Sequence, residues 1–426
     1  MKVRPTAPSR SYLHDVGRTA GFNLATTAIG AVTGVLLARW MGPSGRGDYA
    51  AVASYFALSL VFFELGLGSS VVFHVSRWKH DQADYVWTAA TLLIPLALAA
   101  GLVSVILGLT VFGDSPGRRT AFLIIPVSIA IAFANAPASF ALQSLAIGRW
   151  NLVRLTYPII FFLLIVMIHV TQPLNVSLVI IMMTIALAVQ TSVAWWLYIR
   201  AYPTRGRFDR RAVRPMLRYG ILNMSSTTPN SMNGRLDQVV LAVMVTSAAL
   251  GQYAVAVSLS MLAAPLVMAF GNVAFPSLAR GERVANTIRV ATRGSALVSI
   301  LSVVMILVAG PFMVPRLFGA GYGHVTALLL VLAPGAAVVV VNQVLGDVLR
   351  GLGRPGVVAL YEWIGVISTV GGLALLVPRF DVMGAAITST VTYTIVFVLL
   401  RRAVARHAAV LEQHTPRTET NEAGRD

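Results

Sequence analysis

A helix that crosses the ~30 Å hydrocarbon core of a bilayer needs about 20 mostly apolar residues. This chain offers twelve such runs, at 17–40, 47–74, 86–112, 120–147, 152–170, 176–199, 216–246, 249–279, 287–314, 324–349, 356–377 and 382–404. So many apolar runs leave no water-facing surface for a soluble domain. Only 12% of the 426 residues are charged and 57% are hydrophobic, against about 25% charged in an ordinary soluble domain. The fold class is therefore an all-α integral membrane protein of twelve transmembrane helices. The first run is too long for a secretory signal, and no small-residue cleavage site follows it.

The net charge of +17 raises nucleic acid as a partner, but the basic residues flank apolar runs and form no basic domain, so no nucleic-acid partner is expected. With the N-terminus placed in the cytoplasm, 26 of the 33 basic residues fall on the cytoplasmic side. Six (Arg39, Arg46, Arg118, Arg119, Arg316 and Arg379) fall outside, and Arg235 lies within a span. The positive-inside rule then puts both termini in the cytoplasm of a multi-pass protein, read as one of the bacterial cytoplasmic membrane. The seven arginines from Arg200 to Arg218 read as an anchor on anionic membrane lipid.

The sequence repeats itself. Val35-Leu36-Leu37-Ala38 aligns with Val239-Val240-Leu241-Ala242, and Gly47-Asp48-Tyr49-Ala50 with Gly251-Gln252-Tyr253-Ala254, both at an offset of 204. Gly148-Arg149 aligns with Gly353-Arg354 at 205, and Phe112-Gly113 with Phe318-Gly319 at 206. Each copy holds an even number of spans, so the copies enter from the same side and form parallel repeats about an axis along the membrane normal. The expected organisation is a cytoplasmic segment 1–16, a six-helix lobe 17–200, a basic linker 201–215, a second six-helix lobe 216–404 and a disordered cytoplasmic tail 405–426. Two lobes around a cleft suit a transporter working by alternating access; duplication in a structural membrane protein is the plainer reading.

Polar side chains inside spans carry the functional expectation, because each is expensive in lipid. Asn223, Ser226, Asn230, Asn233 and Asp237 succeed one another at spacings of three, four, three and four, which puts them on one face of an ideal helix. Such a stripe faces a water-filled cavity or serves as hydrogen-bonding glue between helices; its length favours the cavity. At an offset of 204 it meets Thr19, Thr26 and Thr33 of the first span. Pro229 predicts a bend near mid-span. Arg235 lies deep in the same span, where a guanidinium suits a phosphate through its bidentate fork or pairs structurally with Glu64, Glu362 or Asp237. Asp237, Glu64 and Glu362 are candidates for ion coupling, with Glu64 leaning towards a structural role and Glu362 closest to water. Cysteine is absent. No Walker-type loop, HExxH or ligand cluster is seen, so neither an enzyme, nor a cofactor, nor a metal is expected.

Several segments resemble a known family. Leu37-Ala38-Arg39-Trp40-Met41-Gly42-Pro43, followed by Gly47 and Tyr49, is similar to the first hairpin of polysaccharide flippases. Glu64-Leu65-Gly66-Leu67-Gly68 resembles their helix-2 motif, and Leu236-Asp237 with Gly251 and Tyr253 the start of their second lobe. Phe318-Gly319, Gly351-Leu352-Gly353-Arg354-Pro355 and Gly384-Ala385-Ala386-Ile387 look like motifs of helices 9 to 12. The family is the Wzx-like branch of the multidrug/oligosaccharidyl-lipid/polysaccharide exporter superfamily. The resemblance implies a flippase that moves a polyprenyl-diphosphate-linked oligosaccharide to the outer leaflet, with a cationic central cavity that Arg235 fits. Its implied partners are that substrate, membrane lipids, a polysaccharide polymerase and glycosyltransferases. The alternatives are a multidrug or small-molecule antiporter on the same scaffold and a membrane polysaccharide polymerase or ligase; short outer loops disfavour the last.

Overall fold

The computed structural model describes residues 10–78, 81–112, 115–202, 206–279 and 284–414. Its helices resolve into twelve spans. Helix α1, Arg10–Phe63, breaks at Gly42, whose φ of 67° only glycine adopts without strain; this corner separates span 1 from span 2. Span 2 breaks again at Leu65 and Gly66, φ 51° and 66°, and finishes as α2, Leu67–Arg77. Spans 3 to 6 are α3, Gln82–Thr110, α4, Pro116–Leu145, α5, Ile147–Thr171, and α6, Val176–Ala201. Span 7 comes in two pieces, α7, Arg210–Asn233, and α8, Leu236–Met244.

Span 8 is α9, Ser247–Ser260, and α10, Ala264–Ala279, bent by 50° between them. Span 9 is α11, Val284–Phe318, and span 10 is α12, Val325–Gly351. The last helix, α13, Pro355–His414, breaks at Asp381, φ 51°, into spans 11 and 12. Among the described residues helix is present from Arg10, restarts at Arg210 inside the expected linker, and reaches His414, into the expected tail. Both second spans are broken, at Leu65–Gly66 and at Met261–Ala263, but not at equivalent positions, since the 204-residue offset carries Leu65–Gly66 to 269–270 inside α10.

The repeat axis is marked by two glycines at the 204-residue offset. A Cβ on Gly47 would lie 1.7 Å from the Ser247 carbonyl oxygen, and one on Gly251 would lie 1.9 Å from that of Pro43. Equivalent residues touching each other is what a two-fold axis between the lobes requires. Close backbone approach through small residues is the usual way for helices to associate where lipid supplies no hydrophobic drive.

The core divides unevenly. One cluster joins Phe122, Ile129 and Ile180 of lobe 1 to Leu250, Tyr253, Tyr322 and Leu328 of lobe 2. A second, with Val267, Ala274, Val344, Val348 and Leu400, is confined to the half of lobe 2 on the side of the termini. The lobes thus share a core on the side away from the termini and part on the other. On the terminal side they still touch along spans 2 and 7, where a Cβ on Gly66 would lie 2.2 Å from the Gly220 carbonyl oxygen. Among the described residues α1 and α10 approach each other at few points.

Candidate functional site: a cavity between the lobes

Where the lobes part, a cavity of about 580 Å³ forms between spans 1, 2, 5 and 6 of lobe 1 and spans 7 and 8 of lobe 2. Among the described residues its charged lining groups are Arg46 and Arg235, with no carboxylate; Tyr49, Tyr157, Ser54 and Gln238 add hydroxyl and amide groups. The Arg46 guanidinium lies 5.4 Å from the centre of the Tyr49 ring, and its Nε has no hydrogen-bond partner. Arg46 and Arg235 line the same cavity from opposite lobes. At the repeat offset Arg46 corresponds to Leu250 and Arg235 to Ala31. Each lobe therefore contributes one cation, from non-equivalent positions.

Arg235 sits in the gap between α7 and α8, with φ −139° and ψ −18°. The helix passes through Pro229 and breaks at Gly234–Arg235, so the bend lies five residues beyond the proline that was expected to cause it. This break decides the fate of the polar stripe, because an ideal helical face does not continue across it. Arg235 and Gly234 line the cavity, whereas Asn233 and Asp237 on either side do not.

Asn233 donates through Nδ2 to the Glu362 side chain at 3.3 Å and to its carbonyl at 3.4 Å, and its side-chain oxygen accepts from Thr369 at 3.5 Å. Asp237 is buried; its carboxylate accepts from Tyr253 at 2.6 Å and from the Gln238 N–H at 2.7 Å. Asn223 donates to Ser69 of the other lobe at 2.8 Å. These three stripe residues bind helices, not the cavity. The side chains of Ser226, Asn230 and Thr19 lie outside the described residues.

The remaining expected residues divide in the same way. Thr33 lines the cavity, with its hydroxyl donating to the Ile29 carbonyl at 2.8 Å. Thr26 donates to the Phe22 carbonyl at 2.8 Å and is not part of the lining. Glu64 accepts from the Gly68 N–H at 2.8 Å, where it closes the break in span 2. Glu362, expected near water, is buried against Asn233. Arg235 makes no ion pair with Glu64, Glu362 or Asp237. Ion pairs among the described residues are Arg118–Asp48 and Arg350–Asp347.

Two arginines counted from the sequence as outer-loop charges are in the structure interior groups. Arg46 lines the cavity. Arg118, 3% exposed, pairs with Asp48 at 2.8 Å and donates across the lobe boundary to the Ala242 carbonyl and to Ser247 Oγ, each at 2.7 Å. Ser247 in turn donates to Asp48 at 2.6 Å. Their signal in the sequence was proximity to the Gly47-Asp48-Tyr49 repeat motif, since the repeat axis gathers whatever lies beside it. Tyr322 adds a further bond, from its hydroxyl to the Ala38 carbonyl at 2.7 Å. The lobes are thereby sealed on the side away from the termini, and the cavity belongs to the terminal side.

Similar proteins agree with this arrangement. Over 90% of this chain and 87% of its own, a structure of the lipid II flippase MurJ in an inward closed conformation superposes with a TM-score of 0.76 at 15% identity. An inward-facing multidrug resistance MATE family transporter of the MOP superfamily superposes with a TM-score of 0.69 at 16% identity, over 92% and 96% of the two chains. At these identities the likeness establishes the two-lobe fold. An uncharacterized membrane protein of Methanocaldococcus jannaschii is 22% identical over 384 residues, covering 83% of this chain and 76% of that protein. Residues 13–282 match the family described as polysaccharide biosynthesis protein. The chain is a multi-pass membrane protein with the two-lobe fold of these structures, and it belongs to the polysaccharide biosynthesis protein family.

Proposed function

We propose that the protein is a flippase that carries a polyprenyl-diphosphate-linked oligosaccharide across the cytoplasmic membrane by alternating access. The observation that carries this reading is the pair Arg46 and Arg235, one from each lobe, in a cavity whose described lining residues include no carboxylate. A dianion in this cavity would accept charge-assisted hydrogen bonds from a guanidinium of each lobe. The unpartnered Arg46 Nε supplies a donor for it. Tyr49, Tyr157, Ser54 and Gln238 offer hydroxyl and amide groups to sugar hydroxyls. Because the two cations sit on different lobes, bound anion ties the lobes together, which couples binding to their relative motion.

Asp237 and Glu362 serve best as coupling groups. Both are buried in lobe 2, on spans 7 and 11, and both bond to residues flanking the Arg235 break. A change in the ionisation of either carboxylate acts directly on the segment that presents Arg235. Glu64 holds the break in span 2 and is assigned a positioning role. The two cations and the lack of a carboxylate among the described lining residues disfavour the antiporter reading for cationic drugs.

The test is translocation of an undecaprenyl-diphosphate-linked glycan by purified protein in liposomes. Arg46→Gln and Arg235→Gln are expected to abolish translocation while the protein stays folded and inserted, and the Lys variants to retain part of it. Undiminished translocation by both Gln variants would refute the anion site. Transport of cationic drugs, with no glycan translocation, would replace the flippase with the antiporter.

A further inference from the structure

Beyond the bend in span 8, α10 and the start of α11 enclose a second groove, of about 520 Å³. Its walls are Leu266, Phe270, Val273, Val290 and Ala291, and Ser277 and Asn286 mark its terminal-side end. From Leu266 to Ser277 it follows α10 for ~16 Å at 1.5 Å per residue. Its depth is built in by Gly294: a Cβ there would lie 2.4 Å from the Phe270 ring, so the glycine lets that ring lie flat as the floor. Val273 and Val290 stand exposed on its rim.

We propose that this groove holds the polyprenyl chain of the lipid-linked substrate while the diphosphate occupies the cavity; the inference rests on the flippase reading above. An amphiphile whose head group sits among Arg46 and Arg235 must lead its apolar chain out sideways, since the chain gains nothing from a polar lining. Among the described residues the lobes are in contact along spans 2 and 7, while α1 and α10 approach each other at few points.

Span 8 connects the two sites directly. Val257, Ser258 and Met261 line the cavity, the helix bends by 50°, and Leu266 opens the groove. Met261 and Leu266 are five residues apart across that bend.

The probe is an undecaprenyl-diphosphate-linked N-acetylglucosamine with a photoreactive group in its chain, cross-linked to the full-length protein in liposomes and mapped by mass spectrometry. Cross-links are expected to concentrate on 266–274 and 290–291, several-fold above equally lipid-exposed controls around Leu98 and Val308. They are expected to be displaced by unlabelled probe but not by phosphatidylglycerol. Val273→Trp, at an exposed rim position, is expected to lower both cross-linking and translocation of the undecaprenyl substrate, and to leave a short farnesyl analogue unaffected. If phosphatidylglycerol competes equally, the groove holds ordinary membrane lipid and the proposal is wrong. It is equally wrong if saturable cross-links map elsewhere while Val273→Trp transports normally; the flippase reading then survives. If no cross-link anywhere is saturable and no glycan moves, the flippase reading itself has failed, and the tail site with it.

Discussion

The guanidinium of Arg118, in lobe 1, lies 2.7 Å from the carbonyl oxygen of Ala242, in lobe 2. The bond is one of several made by a buried cation whose charge is balanced by Asp48 in its own lobe. An arginine so placed is a latch, because parting the lobes on this side requires it to give up Ala242 and Ser247 while keeping Asp48. Removing one member of a buried pair costs about 3–5 kcal/mol. Asp48→Asn is therefore expected to weaken the seal and shift the protein towards the state open on that side. The measurement is the reaction of a cysteine at Ala53, which lines the cavity, with a membrane-impermeant reagent added from the side away from the termini. A rise of roughly tenfold or more is expected, since each 1.4 kcal/mol is worth a factor of ten; an unchanged rate would show that the latch does not hold the lobes.

Gly47 and Gly251 make a sharper demand. A methyl group on either would overlap backbone of the other lobe, and no rotamer change relieves a backbone clash. Gly47→Ala and Gly251→Ala are expected to reduce translocation strongly without loss of membrane insertion. Both should also raise Ala53 reactivity in the same assay. Wild-type transport by both alanine variants would mean that the lobes do not close through this contact.

Asp237 and Tyr253 form a buried pair at 2.6 Å. Asp237→Asn and Tyr253→Phe are each expected to destabilise the protein by about 1–3 kcal/mol, the cost of leaving a buried polar group without its partner. The double variant should lose less than the sum of the two, because they remove one interaction. Thermal unfolding in detergent checks stability. Translocation measured beside it separates coupling from simple loss of fold: a coupling carboxylate loses transport beyond what stability accounts for.

The break in span 7 predicts which positions water reaches. Single cysteines at 234 and 235 are expected to react with a charged thiol reagent from the side of the termini, because water lets the thiolate form. Cysteines at 233 and 237 should stay inert, held against Glu362 and Tyr253. Reactivity of 233 and 237 equal to that of 234 and 235 would restore the continuous polar face that helical spacing suggests. The chain has no cysteine to interfere.

Orientation follows from basic residues and is tested independently. Reporters fused near Asp114 and Thr246 are expected to read outside, and one near Arg207 inside. An inside reading at Thr246 with an outside reading at Arg207 would invert the topology and place the cavity on the outer face.

The sequence by itself determined the twelve spans, the two lobes and the repeat, because apolar run length and the 204-residue offset are one-dimensional signals. It also picked out Arg235 and Thr33, which line the cavity, since a polar group in lipid is costly wherever it points. It did not reveal where the other polar side chains turn. Asn233 and Asp237 flank Arg235 in sequence, yet the break at Gly234 sends them to Glu362 and Tyr253, and helical spacing presumes a helix without that break. Nor did it separate Arg46 and Arg118 from ordinary loop charges. Positive-inside counting assigns a residue to a side of the membrane and is blind to depth. Only the packing of two lobes about the Gly47–Gly251 contact carries Arg46 into the cavity and buries Arg118 in the seal, because that contact brings together backbone 204 residues apart, which no local pattern encodes.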